Sequence, residues 1–452
     1  MNRLFIILIL FGSQIGLADF LQLPLHAAQH GELSFLLLYA LFKLVIVLPL
    51  LHAELVAGRL HRVTPLELAQ ETPLIWPKVL VSLLFLAAFL TLASHLHSSS
   101  WVLAMTLDSL KGTLTDAVGI NSTLYWYELS ADRTRLIQLI VMQAMLLFLL
   151  GWFAWRGAAM VYAIILPACA LFILINLPAL ISLFTDSQWQ WQPLNEEAIL
   201  VALRYALASS MAGFMIWYLV GSFLPDSLPT GRWVLGVQIF DILLGFTALA
   251  VLLPVMESVV LTATDTGQVL QALLQMAITG QGGMRELNAF LSMSTLVGTL
   301  DSLPLLLLFS LLYTGQTRRD SLFLALFLAI PLASLLLISS PGQVSLSWYG
   351  WPLSTLFMVF SLELVTPILA LLIAIWVGWY IRPNQVLKQV NPKTGARYWA
   401  WRLSLKFVIP IALALTFARA SLGLVQVTAM DILLVVLLLV LVWWVVRWLR
   451  AL

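Results

Sequence analysis

Long apolar runs alternate with short polar connections along the whole chain of 452 residues. A helix that crosses a membrane needs about 20 apolar residues, and these runs reach that length. The pattern predicts an all-α integral membrane protein with about twelve transmembrane helices. The predicted spans are 4-26, 33-57, 75-107, 134-155, 158-184, 197-223, 234-262, 287-314, 321-340, 348-381, 399-421 and 430-449.

The composition supports this class and excludes others. Hydrophobic residues make up 62% of the chain and charged residues 10%, against about 45 to 50% and about 25% in soluble domains. The 23 Lys and Arg against 21 Asp and Glu leave a net charge of +2, which is too small for a nucleic-acid partner. The single Cys169 lies in an apolar run, which excludes a disulfide framework and a cysteine-based metal site.

The basic residues predict the orientation in the bilayer. Lys and Arg concentrate in the even-numbered connections and at the carboxyl end, whereas the odd-numbered connections carry few. Under the positive-inside rule, both termini are cytoplasmic in a multi-pass protein of the bacterial inner-membrane type. The basic positions are Arg59, Arg62, Lys78, Arg156, Arg232, Arg318, Arg319, Lys388, Lys393, Arg397, Arg447 and Arg450.

Two of the predicted spans contain a weak point. In the first, the run 12-19 (GSQIGLAD) separates two short apolar stretches, and in the sixth the run 208-214 (ASSMAGF) does the same. Paired interruptions in the two halves of a transporter are the best sequence pointer to a central binding site. Unwound backbone at membrane depth is tolerated only where it lines a cavity or is buried in protein.

The first span also has a secretory signal peptide as an alternative interpretation. Met1-Asn2-Arg3 precedes an apolar stretch that ends in small residues. Because apolar residues resume directly after Asp19, one broken spanning helix is the preferred interpretation.

Ionisable residues inside spans cost at least about 2.5 kcal/mol each on insertion scales, so each requires a reason. The reason is either a structural pair, an end group that reaches the interface, or a functional site. Asp19, Asp241 and Asp301 have no Lys or Arg nearby in the sequence, which favours a cation or a proton as their partner. The positions are Asp19, Lys43, Glu54, His95, His97, Arg204, Asp241, Glu257, Asp301 and Glu363.

Two motifs carry a resemblance to a known family. The run 16-24 (GLADFLQLP) is similar to the first-helix signature G-L-G-N-x-x-R-F-P, and 48-59 (LPLLHAELVAGR) is similar to the second-helix pattern I-P-L-x-x-x-E-x-x-x-G-R. The chain thus resembles the neurotransmitter:sodium symporter family, which has the LeuT fold. This implies a 5+5 inverted repeat with broken helices 1 and 6, divided as 1-184 and 185-381, followed by two further spans in 382-452.

The resemblance implies two sodium-like sites. The first combines one backbone carbonyl with three side chains, namely Gln14, Asp19, Ser209 and Asp241. The second combines carbonyls with two side chains, namely Gly12, Ile15, a carbonyl near Val297, Asp301 and Ser302. Oxygen-only ligation suits a hard cation, so Na+ is the expected ion, with H+ coupling as an alternative and no organic cofactor.

The first site departs from the family in its charge. Asp19 and Asp241 stand where the family has amides. Since two carboxylates in a low-dielectric setting repel each other, one of them is expected to bind a proton. Three outcomes stay open: tighter Na+ binding, a proton in place of one Na+, or a cationic group of the substrate in this space.

The resemblance also implies the substrate-binding residues. His95 stands where the family has a tyrosine that holds the substrate carboxylate, although polar packing of His95 is the alternative interpretation. The implied set is Leu17, Ala18, Thr91, His95, Ala208, Met211, Phe214 and Leu306.

The gate residues depart most from the family. The two positions of the family's outer ion pair correspond to Gln22 and approximately Trp348 in this sequence, so that pair is absent. Arg204 is suggested as a substitute only because of its depth in the predicted sixth span. Glu54 and Glu363 match a carboxyl pair between spans two and ten, where they would share a proton in a structural role.

These observations predict a cation-coupled secondary transporter of a small amino acid, amine or related zwitterion. Spans one, two, six and seven would move against spans three, four, eight and nine. The alternative is a transporter-like membrane subunit or ligand sensor that does not transport, which the missing gates favour. An enzyme is not expected, since no nucleophile-base pair or H-E-x-x-H helix occurs. The expected partners are a small-molecule substrate and the lipid bilayer, with a membrane partner chain or a homodimer left open.

Overall fold

A computed structural model describes most of the chain as helix. The described residues are 3–71, 75–112, 122–185, 191–225, 228, 230–256, 284–310, 316–338, 347–348, 351–352, 364–389 and 395–423. Their only paired strands are two-residue segments, β1 (Ser347–Trp348) and β2 (Trp351–Pro352), which form one antiparallel pair. The predicted all-α membrane class is confirmed.

The helices follow the predicted spans closely. In the first half they are α1 (Arg3–Gly12), α2 (Leu17–Gln29), α3 (Glu32–Phe42), α4 (Leu48–His61), α5 (Pro65–Glu71), α6 (Ile75–Leu110), α7 (Ser122–Ala131), α8 (Arg133–Trp152), α9 (Trp155–Ile175) and α10 (Leu177–Thr185). After these come α11 (Glu196–Ser209), α12 (Ile216–Ser222), α13 (Thr230–Met256), α14 (Met284–Leu300), α15 (Leu303–Ser310), α16 (Gln316–Ile338), α17 (Thr366–Ile375), α18 (Pro383–Gln389), α19 (Gly395–Leu403) and α20 (Ile409–Gly423).

Among the described residues, nine helices are long and apolar enough to cross a membrane. The chain is therefore a multi-pass membrane protein. The predicted span 430-449 and parts of 234-262 and 348-381 lie outside the described residues, so the count of about twelve and the division into 1-184, 185-381 and 382-452 stay predictions.

Both predicted helix breaks are present. The first span is divided at 13–16 between α1 and α2, and the sixth at 210–215 between α11 and α12. In the second break, Met211 (φ 46°), Gly213 (φ 99°) and Met215 (φ 53°) all have left-handed backbone. Such a conformation at three of six residues ends any α-helix.

Several interruptions were not predicted from the sequence, among them π-helical turns at Trp376–Tyr380 and Ser404–Val408. Two others lie close to the predicted site residues. The eighth span is divided by a turn at Asp301 and Ser302, between α14 and α15. The second span contains a π-helical turn at Lys43–Val47, between α3 and α4. Single π-turns inside α-helices are common at functional sites.

The helices pack into two groups. In one, α4 packs on α12, α3 on α11, and α13 on α2 and α4, which joins spans one, two, six and seven. In the other, α6 packs on α8, α14 and α16, and α16 also packs on α8, which joins spans three, four, eight and nine. In the first group, the backbones of α4 and α12 approach closely, because a Cβ on Gly58 would lie 1.9 Å from the Tyr218 carbonyl oxygen. Small residues permit such close backbone approach in membranes.

Candidate ion and substrate site

The two helix breaks contact each other through one glutamine. The Gln14 amide nitrogen donates to the Ser210 carbonyl oxygen at 2.9 Å, and Gln238 donates to the Gln14 side-chain oxygen at 2.9 Å. Both glutamine side chains are buried. Because a buried backbone carbonyl needs a donor, Gln14 stabilises the second break with a side chain from the first.

Asp301 lies at the break in the first span. Its Oδ2 accepts a hydrogen bond of 3.2 Å from the Leu17 N–H, the first residue of α2. A Cβ on Gly16 would lie 3.1 Å from Asp301 Oδ1, so glycine leaves room for the carboxylate there. The positive end of a helix N-terminus favours a carboxylate at this place.

The other residues predicted for the second ion site lie near the interruptions of spans one and eight. The Gly12 carbonyl oxygen accepts a weak bond of 3.3 Å from the Ile15 N–H, while the Val297 carbonyl oxygen accepts 2.9 Å from the Asp301 N–H. Ser302, in the same turn as Asp301, is buried. The residues of the predicted site thus lie in or next to two helix interruptions, 13–16 in span one and 301–302 in span eight.

Asp19 is fully buried among hydroxyl groups. Its Oδ1 accepts from the Tyr39 hydroxyl at 3.3 Å and from the Tyr205 hydroxyl at 3.5 Å. The Ser209 hydroxyl lies 3.3 Å from that of Tyr39. Asp19 and Ser209 of the first predicted site are thus brought together through Tyr39. Tyr205 was missed in the sequence, since a tyrosine in an apolar span resembles ordinary core.

Asp241 has a partner that sequence reasoning also missed. The Lys43 Nζ donates to Asp241 Oδ2 and, at 2.6 Å, to the Ser210 hydroxyl. Both charged side chains have 0% exposure. Lys43 was recognised as an ionisable residue within a span, but 198 residues separate it from Asp241. Only the packing of span two on spans six and seven brings them together.

One of the predicted substrate residues, His95, lies beside the break in span eight. His95 on α6 has its Nδ1 3.6 Å from Asp301 Oδ2, and its side chain is 20% exposed. Leu17, Thr91, Met211, Phe214 and Leu306 are buried, whereas Ala18, His95 and Ala208 are half-buried. His95 therefore connects the α6 side of this set to the break at Asp301.

The carboxyl end of α2 holds two histidines in contact, His26 and His30. The His30 ring stacks on those of His26 and Phe35, with centroids 6.0 and 5.9 Å apart. Burial lowers the pKa of His30; Glu197 opposes this shift and Arg204 adds to it. Arg204 thus lies close enough to act on this cluster, while its assignment as a substitute gate residue stays a prediction.

The carboxyl pair predicted between spans two and ten is described only in part. Glu54 Oε1 accepts a hydrogen bond of 2.7 Å from the Gly213 N–H. Glu257 and Glu363 lie outside the described residues. Glu54 therefore has a partner in the second break, and the proton shared with Glu363 stays a prediction.

Three comparisons relate the chain to known proteins. No protein-family model matches it. It is 23% identical over 261 residues to the "Uncharacterized sodium-dependent transporter YhdH" of Bacillus subtilis (strain 168), across 55% of this chain and 57% of that protein. The match therefore spans little more than half the length of the relative.

A solved structure matches over nearly the whole chain. It is "Crystal structure of MhsT in complex with L-phenylalanine", with a TM-score of 0.79, 19% identity, and coverage of 93% of this chain and 99% of that one. At this identity the likeness establishes the fold. Together with the sequence match, it agrees with the expected resemblance: the chain is similar in sequence to a sodium-dependent transporter and has the LeuT fold.

Proposed function

We propose that the chain is a cation-coupled secondary transporter of a small amino acid, amine or related zwitterion, with Na+ as the coupling ion. The observation that carries this proposal is the position of Asp301. Its carboxylate faces the unwound segment of span one, where it accepts the Leu17 N–H at 3.2 Å. A buried carboxylate beside the backbone carbonyls of an interrupted helix offers oxygen ligands, which a hard cation prefers.

In this proposal Na+ binds between the two interruptions of spans one and eight. The ligands are the carbonyl oxygens of Gly12, Ile15 and a residue near Val297, together with the side chains of Asp301 and Ser302. A second positive charge would bind at the first predicted site, which consists of Gln14, Asp19, Ser209 and Asp241. The sodium-dependent relative supports the choice of ion.

The substrate would bind where the half-helices end. Leu17 and Ala18 from span one and Ala208, Met211 and Phe214 from span six form one side in this proposal. Thr91, His95 and Leu306 form the other. A structure of similar fold was determined with L-phenylalanine, which supports a small zwitterion as the substrate class.

The helix packing supports a mechanism by relative movement of two groups. Spans one, two, six and seven pack on each other, as do spans three, four, eight and nine. The proposed substrate residues are divided between the groups. An ion that contacts both α2 and the Asp301 turn would therefore stabilise one arrangement of the two, which is how a ligand shifts a conformational equilibrium. Both termini are placed in the cytoplasm of a bacterial cell in this proposal.

Counterflow in proteoliposomes tests the proposal. Vesicles preloaded with an unlabelled amino acid or amine, chosen by a thermal-shift screen, should accumulate the labelled compound only when Na+ is present. Asp301→Ala should abolish this exchange. Binding of the compound without exchange under any Na+ or H+ gradient would contradict transport and favour the ligand-sensor alternative.

A further inference from the structure

Lys43 is a fully buried lysine that pairs with Asp241, a residue of the first predicted ion site. It lies on the π-turn at Lys43–Val47, and its next neighbours Leu44 and Val45 are exposed on the outer surface of the helix. Its own side chain extends inward, with the Nζ 5.4 Å from the centre of the Tyr39 ring. The backbone of this turn therefore directs the Lys43 side chain into the protein, whereas the two residues that follow it are exposed.

The contacts of this ammonium group are those expected of a bound cation. Asp241 Oδ2 and the Ser210 hydroxyl at 2.6 Å accept its hydrogen bonds. Asp241 is one of the residues that the family resemblance assigns to the first ion, and Ser210 follows another, Ser209. A lysine ammonium and an alkali cation carry the same charge and select the same oxygen acceptors.

Asp19 lies next to this ion pair. Its Oδ1 accepts a hydrogen bond of 3.3 Å from the Tyr39 hydroxyl, and the Lys43 Nζ lies over the ring of that same tyrosine. The positive charge of Lys43 therefore acts on both carboxyl groups that the family resemblance assigns to the first ion.

The ammonium group already occupies the oxygen atoms that an ion would need. It binds the Asp241 carboxylate and the Ser210 hydroxyl, so a Na+ at these oxygens would have to displace it. A Na+ beside it would meet a fixed like charge at membrane depth, where repulsion between like charges is stronger than in water. A second cation is therefore disfavoured in this place.

We propose that Lys43 is a tethered cation that takes the place of an ion in the first site, so that the chain binds one Na+, at Asp301, per transport cycle. The part of this inference that concerns Na+ at Asp301 rests on the proposed function. The part that concerns Lys43 rests on its contacts alone, which do not depend on transport.

Equilibrium binding of ²²Na+ to the purified chain in detergent tests the stoichiometry. The wild type should bind one Na+ per chain, and Asp301→Asn should bind none. Lys43→Ala removes the ammonium but keeps both carboxyls, so it should gain one ion and bind two. In parallel, Na+ should raise the melting temperature of Lys43→Ala more than that of the wild type.

Arg135→Ala provides the matched control. Arg135 pairs with Asp108 at 2.6 Å elsewhere within the membrane spans, so its loss also removes the cation from an ion pair. This variant should keep one Na+. A gain specific to Lys43→Ala then reports the first site and not a general effect of a broken ion pair.

The outcomes separate the two proposals. Two ions bound by the wild type, or a folded Lys43→Ala with no additional Na+, would overturn the tethered cation. If Lys43→Ala does not fold, the count in the wild type and in Asp301→Asn decides. A wild type that binds no Na+ would contradict the proposed function at Asp301, while a gain of one ion in Lys43→Ala would still support the role of Lys43.

Discussion

Glu54 accepts a hydrogen bond of 2.7 Å from the backbone N–H of Gly213, a residue 159 positions later in the chain. Gly213 has left-handed backbone within the break of span six, so its N–H cannot take part in an α-helix. A backbone donor at membrane depth must be satisfied by protein. Glu54 provides that acceptor from span two.

Replacement of Glu54 tests this relationship. Glu54→Ala leaves the Gly213 N–H buried without an acceptor, which should cost about 1 to 3 kcal/mol. Glu54→Gln keeps a side-chain oxygen at the same place and should retain most of the stability. Thermal unfolding in detergent measures both; equal stability of the two variants would contradict the assigned role.

Asp301→Ala should remove the stabilisation that Na+ gives to the folded chain. An ion that binds only the folded state stabilises it by about 2.7 kcal/mol at one hundred times its dissociation constant. The melting temperature of the wild type should therefore rise with Na+ concentration, while that of the variant should not. Asp108→Ala, outside the site, serves as the control and should keep the full Na+ effect. A Na+ response in Asp301→Ala equal to that of the wild type would refute the site.

Asp19→Asn should weaken the pH dependence of substrate binding. The substitution restores the amide of the related family and removes one of two neighbouring carboxyl groups, so no proton needs to be shared. Affinity measured between pH 5 and pH 9 should vary less in the variant than in the wild type. Identical pH profiles would show that the Asp19 carboxyl does not titrate during binding.

The crossing of spans two and six should be intolerant of any side chain at Gly58. A Cβ there would lie 1.9 Å from the Tyr218 carbonyl oxygen, so Gly58→Ala must move a backbone and should cost about 1 to 3 kcal/mol. Gly231→Ala is the matched control, because the nearest atom would be 3.9 Å away. The difference in melting temperature between the two variants measures the effect. A Gly58→Ala variant as stable as Gly231→Ala would contradict the close approach.

His30 should make the folded chain less stable in acid. Its pKa in the folded state is lowered from an ordinary value near 6.5, mainly by burial. The unfolded chain therefore binds the proton more readily, and the free energy of unfolding should fall as the pH drops below about 6.5. His30→Gln should show a shallower fall over the same range. Parallel curves for the two proteins would contradict a contribution from His30, whose charged neighbours are Glu197 and Arg204.

Much of the architecture could be predicted from the sequence, because the bilayer restricts a spanning chain to few forms. Apolar length predicted the spans, and Gly16 and Gly213 with their polar neighbours indicated both breaks. The interruption at Asp301 was not predicted, although Gly298 and Pro304 flank it and a proline is typical of the first turn of a new helix. Its functional signal was instead the Leu-Asp-Ser pattern of the resemblance.

The composition of the candidate site was harder to predict than its position. Asp19, Asp241 and Asp301 were recognised as carboxylates without basic neighbours in the sequence. The position of Lys43 beside Asp241 was not predicted, because a π-turn determines where the Lys43 side chain extends. No residue pattern predicts such a turn. Tyr205 was missed for a similar reason: hydroxyl contacts depend on the packing of three spans.

The backbone at Met211 and Met215 has a consequence of its own. Left-handed conformation at a residue with a side chain costs about 1 to 3 kcal/mol, and the break in span six contains two such residues. Gln14 holds one end of this segment through Ser210, and Glu54 holds it at Gly213. Release of either contact would therefore allow this segment to relax to a backbone conformation of lower energy. A movement of span one or span two away from span six would have that effect.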